Sequence, residues 1–185
     1  AGVLDRQGAN AEFQLVDERI TGIKPAALSF EAAASVPLTG LTAWEMLFDR
    51  LQLSVNGDAD QTLLMLGGAG GVPCMAIQLA RTLSRVNIIG TASRQESVRA
   101  VRGFGAHYVL DHSCALAPQV ASLAGLPPIT RIFSTYTTPS AWENMAEIIA
   151  PQGRIGLIDD PEPLALRLIK FKRVSVHWEA MFTRP

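Results

Sequence analysis

The regular alternation of short apolar segments with helix-like segments is the feature of this sequence that most restricts its fold. Six runs have the composition of buried strands, and runs of helical periodicity separate the first five. Such alternation is typical of a parallel sheet covered by helices on both faces. We therefore predict an α/β protein with a doubly wound parallel sheet of about six strands. The predicted strands cover 62–66, 86–91, 107–110, 129–134, 153–158 and 174–178, and the helices 72–84, 94–103, 115–124 and 139–150.

The residues that precede this alternation have a weaker pattern. Residues 10–20 alternate loosely between apolar and polar and contain β-formers, which predicts a further strand. Ser29 is a favourable N-cap for a short helix, which Pro37 is expected to end. The apolar side chains in 39–49 then predict a second helix.

A glycine-rich turn, Gly68-Ala69-Gly70-Gly71-Val72-Pro73, joins the first strand of the alternation to its first helix. The N-terminus of a helix at such a junction presents unpaired amide N–H groups and a partial positive charge, which suit a pyrophosphate. Pro73 stands where a third glycine is expected, but in the first helical turn its missing N–H would have had no intrahelical partner. The turn therefore predicts a phosphate site of the Rossmann type. A glycine-rich turn without a ligand is the alternative.

The residues after the second predicted strand favour one dinucleotide over another. NAD-binding folds usually place Asp or Glu there, where the carboxylate holds the ribose 2′-hydroxyl. Here Ser93 and Arg94 follow the strand, and the next acidic residue is Glu96. A 2′-phosphate can accept hydrogen bonds from Ser93 and a charge-assisted pair from Arg94. We therefore expect NADP(H) rather than NAD(H), the alternative being that Arg94 is only a solvated residue at a helix start. The missing acid also counts against an S-adenosylmethionine methyltransferase.

Composition argues against several other classes of function. The 185 residues carry a net charge of −1 without a long charged block, which does not indicate a nucleic-acid surface. No apolar run approaches the ~20 residues of a membrane helix, and no secretion signal is recognisable. The cysteines and histidines lie too far apart in the sequence for a zinc site or a disulfide framework. We expect a cytoplasmic protein and no zinc in this chain, and both ends resemble cuts through a longer protein. The scattered residues are Cys74, Cys114, His107, His112 and His177.

Several segments together resemble the medium-chain dehydrogenase/reductase superfamily, and most closely its zinc-type alcohol dehydrogenase-like and quinone oxidoreductase branch. They cover most of the chain, and the VPLTGLTAW-type segment is more specific than the glycine turn, because other Rossmann proteins do not share it. The segments are AAASVPLTGLTAWEMLFDRL (32–51), LLMLGGAGGVPCMAIQLAR (63–81), IIGTASRQESVRAVRGFGAHYVLDH (88–112), APQGRIGLIDD (150–160) and SVHWEAMFTRP (175–185).

The resemblance implies a fragment of a two-domain oxidoreductase. Residues 1–35 would be the tail of a GroES-like catalytic domain, and residues 36–185 would form the NADP(H)-binding Rossmann domain. The parent protein would transfer hydride to or from a carbonyl, quinone or enone, with catalytic residues outside this chain, so that the fragment alone would be inactive. Alternatives are a zinc-dependent alcohol dehydrogenase with its ligands upstream and a non-catalytic, dinucleotide-binding or regulatory member. In this family the last strand often pairs across a two-fold axis, which implies a homodimer.

The resemblance also implies a set of cofactor contacts. Thr39 would lie near the nicotinamide half of the cofactor, although it is equally suited to cap a helix. Ser93, Arg94 and Ser97 would surround the 2′-phosphate, and His112 would lie beside the adenosine. Relatives commonly carry Tyr at the position of His112 and Lys near Ser97, so these two depart from the family pattern. The remaining predicted contacts are Gly68, Gly70, Gly71 and Val72 at the pyrophosphate, Ser134 and Thr135 at the end of the fourth strand, and Ile158 at the end of the fifth.

Overall fold

The computed structural model describes residue 8 and residues 10–181, and a sheet of six strands forms its centre. The strands are β1 (Thr62–Leu66), β2 (Asn87–Thr91), β3 (Tyr108–Leu110), β4 (Ile129–Ser134), β5 (Arg154–Leu157) and β6 (Ser175–Trp178). Their order is β3-β2-β1-β4-β5-β6, and all neighbours are parallel. The order reverses between β1 and β4, which opens a crevice at the carboxyl ends of the strands. The predicted doubly wound sheet is confirmed.

Six α-helices accompany the sheet in the described part of the chain. They are α1 (Phe30–Ala34), α2 (Val36–Trp44), α3 (Gly71–Leu83), α4 (Gln95–Phe104), α5 (Leu116–Ala121) and α6 (Pro139–Ile148). The four helices that alternate with strands agree with the predicted ones, with bounds that differ by up to three residues. The connection from β5 to β6, which contains two prolines, holds only the short 3-10 turns Leu166–Leu168 and Lys170–Lys172.

The side chains of each central strand alternate between two apolar cores, because successive residues of a strand point to opposite faces. In β1, Leu63 and Met65 pack with α2, α3 and α4, whereas Leu64 and Leu66 pack with α5 and α6. All four are at most 1% exposed. A strand buried on both faces explains why this segment is apolar throughout rather than alternating.

The predictions for the first part of the chain need two corrections. Residues 10–20 form no strand but a single 3-10 turn, Glu18–Ile20, and Phe13 and Leu15 are almost fully exposed. A strand needs a neighbour with which to pair, and the described residues of this segment have none. The short helix does end before Pro37, at Ala34, but Pro37 itself also belongs to a helix. It lies in the first turn of α2, where a missing N–H costs nothing, and α2 continues into the π-helical turn Glu45–Arg50.

Ser29 caps α1 as predicted. Its hydroxyl oxygen accepts a hydrogen bond from the amide of Ala32 at 3.2 Å.

Within the described residues no helix has the length and apolar character needed to cross a membrane.

Candidate cofactor site

The turn after β1 is held in place by the end of β2. The Gly67 amide donates to the Thr91 hydroxyl at 3.1 Å, and the Gly68 amide donates to the Thr91 carbonyl at 3.0 Å. A further bond, from the Gly70 amide to the Gly67 carbonyl at 3.0 Å, closes the turn. Gly67 has a φ of +75°, a conformation that residues with side chains rarely adopt. The turn is therefore fixed by two backbone hydrogen bonds and one to the Thr91 hydroxyl.

The N-terminus of α3 faces the open side of this turn. Gly70 is the N-cap, and the first helical bond runs from the Cys74 amide to the Gly70 carbonyl at 2.9 Å. The amides of Gly71 and Val72 precede that bond, so they have no intrahelical acceptor and can donate to an anion. Pro73 is buried at the third helical position, where its missing N–H removes no helical bond.

The turn opens into a cleft of about 350 Å³ between the carboxyl ends of β1, β2 and β3. Of the predicted contacts, Gly70, Ser93, Arg94, Ser97 and His112 line it. Gly67, Ala69, Thr91 and Ala92 complete the wall. The structure thus brings the glycine turn together with the predicted 2′-phosphate residues.

The electrostatic character of the cleft comes from Arg94. Arg94 is the N-cap of α4, and its exposed side chain forms no capping bond to the helix. Ser97 lies in the first turn of the same helix, where the partial positive charge of the N-terminus adds to that of the guanidinium. Among the described residues that line the cleft, none is acidic. The cleft therefore suits an anionic group.

Two of the predicted glycines, Gly68 and Gly71, do not line the cleft. The absence of a side chain at these positions lets neighbouring elements pack closely. Gly68 is buried, and a Cβ there would lie 3.0 Å from Val101 of α4. A Cβ on Gly71 would lie 3.2 Å from the methyl group of Thr39. Thr39 lies inside α2 and its hydroxyl donates back to the Ser35 carbonyl at 3.1 Å, so it does not cap the helix. Its position against Gly71 places it beside the start of α3.

The predicted residues at the end of β4 differ in accessibility. Ser134 is fully buried, and its hydroxyl donates to the Tyr136 carbonyl at 2.6 Å, so the side chain supports the turn rather than facing the cleft. Thr135 is half-buried, and its hydroxyl donates to the Leu66 carbonyl at 3.1 Å, directly beside Gly67. Ile158, after β5, packs on the core that α2 and α3 cover. Thr135 therefore borders the turn, whereas Ser134 and Ile158 contribute to its surroundings.

His112 forms the end of the cleft that lies nearest β3. Its Nδ1 is 3.2 Å from the Thr91 hydroxyl, and its ring meets Tyr136 edge-on with 5.8 Å between centroids. Burial raises the pKa of the Tyr136 phenol. The preceding Asp111 accepts hydrogen bonds from the side chain and the amide of Ser113, which lower the pKa of its carboxyl. Asp111 thus shapes the loop that carries His112.

Five residues at the site were absent from the predicted set, two of which, Ala69 and Ala92, only complete the wall of the cleft. The other three make specific contacts. Gly67 makes the sharp turn, Thr91 holds it, and Tyr136 packs against both Gly67 and His112. The sequence does carry a signal for Gly67, which is its position directly after a buried strand and directly before the glycine-rich turn Gly68–Pro73. Thr91 is a polar residue at the end of another buried strand, a place where its hydroxyl needs a partner.

The described residues do not provide a zinc donor set. No three side chains of His, Cys, Asp or Glu among them lie close enough together to hold a metal ion. Cys74 and Cys114 are free thiols on different elements. Three protein ligands are the usual minimum for catalytic zinc, so the described part of the chain does not fit the metal.

The sheet order and the glycine turn define the class of this protein, a Rossmann-type cofactor-binding domain. A family model for zinc-binding dehydrogenases matches residues 71–183, more than half of the chain. The chain therefore belongs to the zinc-binding dehydrogenase family, within the medium-chain dehydrogenase/reductase superfamily.

Individual relatives agree with this assignment. A zinc-type alcohol dehydrogenase-like protein of Staphylococcus aureus is 38% identical over 188 residues, which cover 100% of this chain and 55% of the relative. The chain thus spans about half the length of this and a similar curated relative.

Solved structures show the same fold. A Rhizobium etli protein provisionally named a zinc-dependent alcohol dehydrogenase superimposes with a TM-score of 0.91 at 50% identity, covering 100% of this chain and 54% of that chain. An NAD-dependent alcohol dehydrogenase gives 0.81 at 28% identity, covering 94% and 50%. A mycobacterial protein in complex with NADPH gives 0.74 at 25% identity, covering 86% and 50%. The predicted superfamily and fold are confirmed.

Proposed function

We propose that the chain is the dinucleotide-binding part of an NADP(H)-dependent oxidoreductase that transfers hydride to or from a carbonyl, quinone or enone. The observation that carries this proposal is the cleft, whose wall includes both Gly70, the N-cap of α3, and Arg94, and is lined by no described carboxylate. A pyrophosphate suits the first feature and a ribose 2′-phosphate the second. The solved relative that contains NADPH supports the proposal, whereas the NAD-dependent relative makes the choice of cofactor the point to test.

The residues of this chain bind and orient the cofactor. The amides of Gly71 and Val72 would donate to the pyrophosphate, and Ser93, Arg94 and Ser97 would hold the 2′-phosphate. Thr135 and Thr39 border the turn on the sides of β4 and α2, toward which the nicotinamide half would extend. The nicotinamide supplies the hydride when the cofactor is bound. We assign no catalytic residue in this chain and propose that substrate polarisation comes from the remainder of the full-length protein.

The division of the chain is part of the proposal. Residues 1–35 would be the tail of a catalytic domain and residues 36–185 the cofactor domain. The apolar groove between 20–28 and α2, lined by Ile23, Leu41 and Trp44 among others, supports a covering domain in the full-length protein. The two free thiols are compatible with the reducing cytoplasm, where we place the protein.

The choice of cofactor can be tested by titrating the protein with NADPH and NADH and following nicotinamide fluorescence. We expect tighter binding of NADPH, and an Arg94→Gln variant should lose roughly tenfold in NADPH affinity while its NADH affinity stays unchanged, because one charge-assisted contact is worth about 1.5–3 kcal/mol. Arg99→Gln is the matched control, since Arg99 is an exposed residue of the same helix that does not line the cleft.

Equal or tighter binding of NADH would contradict the assignment of NADP(H). Absence of binding of either dinucleotide would favour a non-catalytic member of the family. A zinc-dependent alcohol dehydrogenase remains the second candidate because of the family's zinc-dependent relatives, and zinc measured in the full-length protein would support it.

A further inference from the structure

A single buried hydroxyl group connects two walls of the cofactor cleft. Thr91 is the last residue of β2 and is 0% exposed. Its Oγ1 lies 3.1 Å from the Gly67 amide nitrogen and 3.2 Å from Nδ1 of His112. Gly67 begins the phosphate turn, and His112 lies on the loop after β3. Both residues line the cleft, so Thr91 reaches the turn and the histidine at once.

The donors and acceptors around this hydroxyl can be assigned from their chemistry. A threonine hydroxyl has one hydrogen to donate and two lone pairs that accept. The Gly67 amide can only donate, so it occupies a lone pair of Oγ1. The second lone pair could accept from a protonated Nδ1, but the buried hydroxyl hydrogen would then have no acceptor among the described residues, so we assign Nδ1 of His112 as its acceptor. A neutral histidine that accepts at Nδ1 carries its own proton on Nε2.

We propose that Thr91 is a positioning residue of the dinucleotide site, whose hydroxyl holds the phosphate turn and fixes His112 as the tautomer with the proton on Nε2. His112 then offers an N–H donor to the nucleotide bound in the cleft. This inference rests on the proposed function of the cleft, and it adds a residue that acts through two others. The Thr91 carbonyl strengthens the arrangement, because it accepts from the Gly68 amide at 3.0 Å.

The chain offers a matched control for the loss of this hydroxyl. Thr62 is also 0% exposed and begins β1, at the opposite end of the sheet from the cleft. Its hydroxyl donates to the Pro127 carbonyl at 2.7 Å. Thr91→Val and Thr62→Val therefore each remove one buried hydroxyl group and keep the shape of the side chain. Only the first of them alters the cleft.

We expect Thr91→Val to weaken NADPH binding by roughly 5- to 30-fold, the factor that follows from losing one or two hydrogen bonds. Thr62→Val should bind NADPH like the wild type, and Thr91→Ser, which keeps the hydroxyl, should restore most of the affinity. In a double-mutant cycle, His112→Ala should cost less in the Thr91→Val background than in the wild type, because the two residues act together. Wild-type affinity in Thr91→Val, or equal losses in both valine variants, would overturn the inference.

The tautomer of His112 gives a readout that does not depend on a variant or on cofactor. The 15N chemical shifts of the wild-type ring should show an unprotonated Nδ1 and a protonated Nε2 at neutral pH. A protonated Nδ1 with a bare Nε2 would overturn the inference even if Thr91→Val failed to fold. Failure of the wild type to bind either dinucleotide would instead overturn the proposed function, together with the role of His112 toward a nucleotide.

Discussion

Gly67 and Gly125 have nearly the same backbone conformation in very different surroundings. Their φ angles are +75° and +73°. A Cβ on Gly67 would lie 2.5 Å from the hydroxyl oxygen of Thr135, whereas a Cβ on Gly125 would have no heavy atom within 4 Å. Comparing the two positions therefore distinguishes the cost of the left-handed backbone conformation, which both share, from the cost of the steric clash with Thr135, which exists only at Gly67 in the turn after β1.

Alanine at the two positions should destabilise the protein unequally. Gly125→Ala should lower the free energy of unfolding by about 1 kcal/mol, the cost of a left-handed conformation for a residue with a Cβ. Gly67→Ala should lower it by about 2–3 kcal/mol, since Thr135 must also give up its bond to the Leu66 carbonyl. Urea unfolding of both variants measures the difference. Equal losses would show that the close approach of Thr135 has no energetic weight.

At the scale of elements, β6 is an edge of the sheet, and among the described residues β5 is its one neighbouring strand. The amides of Ser175 and Glu179 donate inward, to the carbonyls of Gly153 and Leu157. Because donors alternate along a strand, the amides of Val176 and Trp178 point to the open side. Trp178 is 52% exposed. Such an edge is a template for pairing with another chain, and the homodimer that the family resemblance implies stays a prediction to be tested at this strand.

We predict that the protein is a dimer through β6 and that Trp178→Pro makes it a monomer. Proline removes an outward N–H without removing a bond to β5. Trp178→Ala is the control, because it loses the same side chain but keeps the N–H, and it should retain more of the dimer. Light scattering gives the mass of each variant. A wild-type monomer at high protein concentration, or a dimeric proline variant, would count against pairing through this edge.

At the scale of the whole molecule, two histidines connect folding to pH. Burial, followed by the charge of Arg81, lowers the pKa of His107 below its ordinary 6.5. The Ile88 amide donates to its Nδ1 at 2.9 Å, which further favours the neutral ring. Burial, and then the charges of Arg154 and Arg50, lower the pKa of His177 in the same way. The folded protein therefore binds fewer protons than the unfolded chain just below pH 6.5.

Stability should consequently fall as the pH falls below about 6.5, with the full contribution of these histidines present above that value. Urea unfolding between about pH 7.5 and about pH 5.5 should show a declining free energy of unfolding. The double variant His107→Gln and His177→Gln should show a flatter slope over the same window. A wild-type stability that rises toward pH 5.5 would contradict the sign of both pKa shifts.

The sequence predicted the sheet better than the details of the site. The strands and helices from β1 to β6 were predictable because residues buried on both faces, such as Leu63 and Leu64, leave a continuous apolar signal. Burial of Ser134 was not predictable, since it depends on how β4 packs between β1 and β5 in space. For Gly67 the sequence offered only its position directly after β1, and its contacts with Thr91 and Thr135 depend on the assembled sheet. Residues 10–20 were wrongly predicted as a strand because local alternation does not reveal whether a neighbouring strand exists.

The positions of Ser93 and Arg94 have a consequence for protein engineering. Both side chains are exposed, and within the described residues neither donates or accepts a hydrogen bond. The phosphate turn depends instead on buried atoms of Thr91 and Thr135. Under the proposed assignment of the 2′-phosphate site, substitutions at these two surface positions should change cofactor preference at little cost in folding stability. The buried atoms that hold the turn would then be the same whichever dinucleotide binds.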